Sequence, residues 1–229
     1  MGIQERRKRE KEGRRTAILR AARKLFFEKG FKTVTVASIA RKAELSKGAV
    51  YLYFKSKEEI YTHILLSDND KFHKQVSGIT LSGKSAPDML REFARIYIDF
   101  FMSDRELFRI LMAYMLHTDN LKLSDELNQC LIRSTNKTID VIEDIIRLGA
   151  ERGDFPPDIK IRQSRNAFWG FLNGVVSLHL FTGKESLREQ TIRSTVETGL
   201  DLLFRGLEGK PRQPEKNEMP IEPAGTSRP

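Results

Sequence analysis

Side chains suited to binding a polyanion are spaced regularly between Thr35 and Lys57 of this chain. Lys47 and Lys57 carry ammonium groups, and Tyr51 and Tyr53 add phenolic hydroxyls on flat aromatic rings. Cationic and hydroxyl groups bind phosphates, whereas small apolar and aromatic groups contact bases. Catalysis is poorly supported, because the sequence contains neither a glycine-rich phosphate loop nor a nucleophile elbow.

Two short helices joined by a tight turn are needed to position these side chains. Thr35 and Ser46 stand where N-caps are required, and Ser56 opens a third helix through a capping box with Glu59. Small and apolar residues fall where the first two helices must touch: Ile39, Ala40, Ala43, Leu45 and Val50. The second helix keeps an exposed basic and aromatic face: Lys47, Gly48, Ala49, Tyr51 and Tyr53. This pattern predicts a helix-turn-helix whose second helix enters the major groove, and an amphipathic helix pair buried in a core is the alternative.

Charge distribution favours the nucleic-acid interpretation. Residues 1–60 contain 17 Lys and Arg against 7 Asp and Glu, a net charge of +10. The whole chain of 229 residues has a net charge of +9, so residues 61–229 sum to −1. A solvated surface has no reason to confine its positive charge to one quarter of the chain, but attraction to phosphates supplies one.

Residues ~14–60 resemble the N-terminal DNA-binding domain of the TetR family of bacterial transcriptional regulators. The resemblance rests on the order of several blocks: Ile18–Phe26, Glu28–Phe31, Thr33–Val36, Ile39-Ala40, Ser46–Tyr51 and Tyr53–Glu59. One position departs from the family pattern, since the inter-helix turn often carries Gly and this chain has Glu44. A non-glycine residue in a left-handed conformation there costs roughly 1 kcal/mol.

The resemblance implies roles for eight residues at the DNA. Phosphate contacts are expected from Thr35, Lys47, Tyr51 and Lys57, with a guanine edge as the alternative for Lys47. Base contacts are expected from Ala49, Tyr53 and the backbone at Gly48, with Ser46 capping the same helix.

The rest of the chain predicts an all-α fold of about nine helices, because strand signals are absent. We expect a basic disordered arm at 1–13, a three-helix helix-turn-helix domain at 14–58, a helical ligand-binding and dimerisation domain at 59–207, and a disordered tail at 208–229. The tail holds five of the eight prolines. The arm is either a minor-groove element, as in some family members, or a solvated tail. A single cysteine, Cys130, indicates a reducing compartment.

The resemblance also implies an inducer pocket and a dimer among the later helices. Candidate pocket residues are Phe93, Tyr97, Phe101, Phe108, Met112, Met115, Asn166, Trp169 and Asn173. Ordinary core packing is the alternative for each of them. Candidate dimer residues in the last two helices are Gly170, Gly174, Leu200, Leu203 and Phe204, and packing within one protomer is their alternative.

These features favour a cytoplasmic, nucleoid-associated homodimeric repressor that a hydrophobic small molecule releases from a palindromic operator in double-stranded DNA. The expected protein has no cofactor, no metal site, no catalytic residues and no contact with a membrane. The alternatives are a DNA-binding regulator without a small-molecule inducer, under protein control or constitutive, and a helical enzyme or adaptor with a chance helix-turn-helix.

Overall fold

A computed structural model of the chain describes residues 2–116, 123–180 and 185–208. Over these ranges the fold is all-α, as the sequence predicts, with nine α-helices and one 3₁₀ turn at Ile79–Leu81. The helices are α1 (Ile3–Thr33), α2 (Val36–Lys42), α3 (Lys47–Tyr51), α4 (Lys57–Val76), α5 (Ala86–Ser103), α6 (Arg105–Leu116), α7 (Asp125–Arg152), α8 (Ile161–Leu180) and α9 (Glu185–Glu208).

The N-terminal segment is helical, which corrects the expectation of a disordered arm at 1–13. Helix α1 begins at Ile3 and continues to Thr33. Residues 4–12 are Gln, Glu, Arg and Lys, which are good helix formers, and Arg6 pairs with Glu10 at 3.0 Å across one turn. The expected tail at 208–229 lies outside the described residues except for Glu208, the last residue of α9.

Side-chain caps set the boundaries of the helix-turn-helix. The hydroxyls of Thr35, Ser46 and Ser56 each accept a hydrogen bond from the N–H three residues later, at 3.1 Å in every case. These bonds satisfy N–H groups that have no partner inside α2, α3 and α4. The turn between α2 and α3 places Glu44 at φ 57°, the left-handed conformation expected at this position.

One continuous apolar cluster joins the helix-turn-helix to the larger helical part. Ile18 of α1, Ile39 of α2 and Val50 of α3 are completely buried within it. At the junction, the hydroxyl of Tyr61 in α4 donates a hydrogen bond of 2.7 Å to the carbonyl oxygen of Ile110 in α6. The helices that present α3 are therefore packed directly against the helices behind them.

In the larger part, α7 packs against α4, α5 and α8, α9 packs against α5 and α8, and α6 contacts α1, α4 and α5. Close approach at the end of α7 requires glycine: a Cβ on Gly149 would lie 2.5 Å from the Phe155 ring and 2.6 Å from Cβ of Ala86. Within the described ranges, no helix is both long enough and apolar enough to span a bilayer.

Candidate nucleic-acid interface and effector cavity

The outward face of α3 carries the side chains that the sequence singles out. Lys47 and Gly48 are exposed, the Tyr51 ring is 47% exposed, and Ala49 is half-buried, whereas Val50 points into the core. The Lys47 ammonium lies 5.9 Å from the centre of the Tyr51 ring, so a cation and a hydroxyl-bearing ring project together. Tyr53, beyond the helix, is half-buried and packs against the core.

A surface groove gathers four of the eight predicted DNA-binding residues. Thr35, Lys47, Tyr51 and Lys57 line one depression of about 370 Å³ between the start of α2, the face of α3 and the start of α4. Sequence reasoning missed Lys55, an exposed cation in the same groove. Its position directly before the Ser56 cap could have identified Lys55 as a groove residue from the sequence.

The side chain of Lys57 has a structural role, which differs from the predicted phosphate contact. Its ammonium donates hydrogen bonds to the carbonyl oxygens of Phe31, Lys32 and Val34 at 3.0, 3.4 and 3.1 Å. An ammonium has three donors, so these carbonyls use all of them. Lys57 thus supplies hydrogen-bond donors for the backbone carbonyl groups at the end of α1, where Gly30 at φ 73° interrupts the helix.

A second polar contact fixes the chain just beyond α3. The Arg15 guanidinium lies 5.5 Å from the centre of the Phe54 ring, and its Nη2 lies 3.2 Å from Nδ1 of His63. Burial, then the positive charge of Arg15, lowers the pKa of His63, and Glu59 raises it to a smaller extent. The neutral imidazole is therefore the favoured form at this contact.

Behind the helix-turn-helix, α4, α5, α6, α7 and α8 enclose an apolar cavity of about 140 Å³. It is lined by Asp68, Asn69, Phe72, Phe100, Phe101, Leu111, Met115, Thr135, Thr138, Ile139 and Trp169. Thr138 is 4% exposed, and its hydroxyl has no hydrogen-bond partner among the described residues. A mostly apolar cavity with an unsatisfied buried hydroxyl is suited to a ligand that supplies the missing hydrogen bond.

Three of the nine predicted pocket residues line this cavity: Phe101, Met115 and Trp169. Four others lie elsewhere in the packed interior: Phe93, Tyr97, Phe108 and Asn173. The Tyr97 hydroxyl donates to Oδ1 of Asn173 at 2.8 Å, and complete burial raises the pKa of Tyr97 well above its usual value.

The prediction for Asn166 is wrong, because this side chain is exposed and accepts hydrogen bonds from Arg165. Met112 also lies away from the cavity lining, with its sulfur 3.6 Å from the Ser177 hydroxyl. Helical spacing predicts which residues share a face, but not which neighbouring helix that face meets.

A buried carboxylate connects the cavity wall to α1. Asp68 is 3% exposed, and Nη1 of Arg23 lies 3.2 Å from its Oδ1 and 3.1 Å from its Oδ2. Nη2 of Arg23 bonds Asp104, at the junction of α5 and α6, at 2.5 Å. Lys71 donates to Oδ1 of Asp68 at 3.0 Å, while Oδ2 has no hydrogen bond among the described residues. Arg23 of α1 therefore bonds two separate parts of the helical region behind it: α4, through Asp68, and the junction of α5 and α6, through Asp104.

The candidate dimer residues divide into two groups. Leu200 and Phe204 are 0% and 6% exposed, so they pack within the protomer, which is the alternative to their predicted place in the dimer interface. Gly170 and Gly174 are exposed, and a Cβ built at either one meets nothing within 4 Å. Leu203 is 37% exposed. Sequence reasoning missed Leu178 and Leu202, which are 62% and 67% exposed on the same two helices.

Comparisons with known proteins agree with this geometry. Residues 18–64 match the model of the family described as bacterial regulatory proteins, tetR family. The chain is 22% identical over 193 residues to the fatty acid metabolism regulator protein of Bacillus subtilis, covering 84% of this chain and 95% of that one.

Two solved structures share the fold. The TetR family transcriptional regulator PfmR from Thermus thermophilus is 25% identical, with a TM-score of 0.69 over 84% of this chain and 96% of that one. The transcriptional regulator FadR from Bacillus subtilis, solved in complex with stearoyl-CoA, is 21% identical, with a TM-score of 0.68 over 83% and 98%. This chain belongs to the TetR family of bacterial transcriptional regulators, which bind DNA and are not enzymes.

Proposed function

We propose that this protein is a homodimeric repressor that binds a palindromic operator through α3 and is released when a hydrophobic molecule enters the cavity. The observation that carries this proposal is the bonding of Arg23 to Asp68, because it links a helix of the DNA-binding part to the cavity wall. In this view residues 14–58 read DNA, and residues 59–207 bind the effector and the second protomer. Action on genomic DNA assigns the protein to the nucleoid within the cytoplasm.

On DNA, Thr35, Lys47 and Tyr51 contact phosphates from the groove between α2, α3 and α4. The backbone at Gly48 and the side chains of Ala49 and Tyr53 face base edges, where the Ala49 methyl suits a thymine methyl. Lys57 contributes indirectly, by holding the end of α1 against the start of α4.

The test of this interface compares two lysine substitutions in fluorescence anisotropy with an operator duplex selected from genomic fragments. We expect Lys47→Gln to lower affinity and to reduce the slope of log affinity against log salt by about 1 per protomer. Lys160→Gln removes an equal charge from an exposed site near α8 and leaves the slope unchanged. Equal slopes of log affinity against log salt for the two variants would show that Lys47 makes no phosphate contact.

Dimerisation uses the exposed apolar face of α8 and α9, where Gly170 and Gly174 leave room for a partner backbone. A two-fold pair places two α3 helices one helical turn of DNA apart, about 34–36 Å, or at multiples of this distance. Gly174→Arg should convert the dimer to a monomer in sedimentation. Gly78→Arg, at a loop site with equally open space, should not. A Gly174→Arg protein that remains dimeric would exclude this face.

The effector is a molecule with an apolar chain or ring system. Release from DNA requires that it bind more tightly to the protein conformation whose two α3 helices no longer match the half-sites. Relatives named for fatty-acid metabolism and a fold relative solved with stearoyl-CoA make long-chain acyl compounds the first candidates, and the cavity of about 140 Å³ must widen to hold such a chain.

Trp169 is the single tryptophan of the chain and lies on the cavity wall, so its emission reports occupancy. Titration with stearoyl-CoA, stearate and decanol should change this emission and weaken operator binding over the same concentration range. A change in emission without release from DNA would separate ligand binding from regulation. Release by none of the three would favour a regulator controlled by a protein partner.

A further inference from the structure

The first turns of α1 extend beyond the packed part of the protein. Every side chain from Gln4 to Arg14 is exposed, and the buried face of the helix begins at Ile18. A helix that is polar on all sides gains nothing from packing on its own protein. At 1.5 Å per residue, the twelve residues from Ile3 to Arg14 extend over about 18 Å.

The positions of the cations follow the register of the buried face. Ile18, Ala22 and Leu25 form the core-facing stripe of α1, with spacings of four and three residues. The same face, continued toward the N-terminus from Ile18 in helical steps of four, three and four residues, falls on three basic residues: Arg14, Lys11 and Arg7. We call these three residues the cationic stripe. It lies on the side of α1 that packs against α2 and α4 farther along the helix.

The carboxylates of this segment lie away from the stripe. Glu10 is paired with Arg6, whereas Glu5 bonds the Gly2 N–H and Glu12 lies 3.7 Å from Arg15. Helical geometry places Glu5 and Glu12 on the opposite side from the stripe. The three residues of the stripe form no ion pair with any described residue. Their charges are therefore available to an external anion.

The stripe begins beside the end of the DNA-reading helix. Arg15, which follows Arg14, lies against the ring of Phe54, three residues after α3 ends at Tyr51. The extension therefore starts next to the segment that follows α3, on the side of α1 against which α2 and α4 pack.

We propose that the cationic stripe binds the phosphates of double-stranded DNA flanking each half-site. This proposal rests on the proposed DNA-binding function and extends the interface beyond the helix-turn-helix. Contact is made across the phosphate backbone, because a helix 10–12 Å wide does not enter a minor groove about 6 Å wide. An extension of about 18 Å covers about five base pairs of flanking duplex.

The test compares two triple variants with the same loss of charge, in the full-length protein. Arg7→Gln, Lys11→Gln and Arg14→Gln remove the stripe. Arg6→Gln, Lys8→Gln and Arg9→Gln remove three cations from the other sides of the same helix. Affinity is measured against salt concentration on a 40-base-pair duplex of random sequence and on the selected operator with short and long flanks.

Loss of three phosphate contacts per protomer lowers the salt slope by about 2.7 for each protomer bound. We expect this decrease for the stripe variant, together with loss of the affinity gained from long flanks. The control variant should keep most of its slope and its dependence on flank length. Equal slopes for the two variants would mean that the arm acts only through its net charge, and would overturn the proposal.

Two further outcomes are informative. A wild-type protein without salt-sensitive DNA binding would refute the proposed function itself, not the stripe alone. The stripe variant is also tested for binding to phosphatidylserine vesicles. If it loses this binding but keeps the wild-type salt slope of DNA binding, the stripe belongs to a membrane surface and the proposal is overturned.

Discussion

The ammonium group of Lys57 lies 4.4 Å from the centre of the Phe31 ring and donates a hydrogen bond of 3.0 Å to the carbonyl oxygen of the same residue. The first residue of α4 thus closes the end of α1, from 26 positions away. Carbonyl groups at a helix end need such partners, and here a cation also complements the negative end of the helix dipole.

Lys57→Met should destabilise the protein and change salt-dependent DNA binding little. Methionine keeps the apolar stem that covers Phe31 but leaves the carbonyls of Phe31 and Val34 without their donor. Hydrogen bonds to charged groups contribute about 1.5–3 kcal/mol, so we expect a loss of about 2 kcal/mol in the free energy of unfolding. Urea denaturation measures this change.

Lys55→Met is the matched control, because Lys55 is exposed and lies two residues earlier. Its stability should stay within about 0.5 kcal/mol of the wild type. A Lys57→Met protein of wild-type stability with a reduced salt slope would mean that this ammonium binds phosphate after all.

Arg23→Gln should destabilise the protein by about 3 kcal/mol, since it leaves the carboxylate of Asp68 buried with Lys71 as its remaining cation. Asp68→Asn in the same chain should restore part of this loss, because no buried charge then remains. Thermal unfolding of both variants tests the coupling between the two sites.

Arg91 provides the control for Arg23, since it also bonds two carboxylates, Glu197 and Asp201, but these are exposed. Exposed ion pairs contribute less than about 1 kcal/mol, so Arg91→Gln should be nearly neutral. Equal losses for Arg23→Gln and Arg91→Gln would contradict the importance assigned to burial of Asp68.

Thr138→Val should stabilise the empty protein and weaken effector binding. The Thr138 hydroxyl is buried without a partner among the described residues, so a methyl group of similar size removes a desolvation penalty of about 1 kcal/mol. Because Thr138 lines the cavity, the same change should remove a hydrogen bond to the effector, measured by titration of Trp169 emission.

Thr62→Val separates the two effects. The Thr62 hydroxyl is also buried and without a partner in the described part of the chain, but Thr62 does not line the cavity. It should stabilise the protein equally and leave effector affinity unchanged. Equal weakening of effector binding by both variants would exclude a specific contact at Thr138.

Stability should decrease as the pH falls below about 6.5, the ordinary pKa of histidine. Burial lowers the pKa values of His63 and His73 in the folded protein, so the unfolded chain takes up more protons in this range. Proton uptake by the unfolded state lowers the free energy of unfolding as the pH falls. Melting temperatures at pH 8 and pH 5.5 should differ less for the variant with both His63→Gln and His73→Gln. An unchanged difference would assign the effect to other groups.

The helix boundaries were predictable because their determinants are local. Thr35, Ser46 and Ser56 cap helices through bonds that span three residues, and α7 ends at Arg152 before Gly153 at φ 81°, a left-handed conformation that favours glycine. The start of α1 was not predictable from the sequence, because the composition of residues 3–13 fits both a charged helix and a disordered arm.

The long-range features of the candidate site were less predictable. Arg23 finds Asp68 and Asp104 at separations of 45 and 81 residues, which no local pattern encodes. Periodicity identified the apolar face of α9, but not that Leu200 and Phe204 are buried by their own protomer. Of the predicted pocket residues, Phe101, Met115 and Trp169 line the cavity. The others do not, because the cavity walls depend on how five helices pack against one another.

Helix α1 is uninterrupted from Ile3 to Lys29, so Arg23 and the N-terminal end belong to one stiff rod. About 30 Å of helix separates Arg23 from Ile3. Rotating this rod by about 5° around Arg23 swings its far end by about 3 Å, close to the 3.4 Å rise of a single base pair. In the proposed interface, a rotation of this size at Arg23 is thus magnified at the cationic stripe to a displacement of about one nucleotide step.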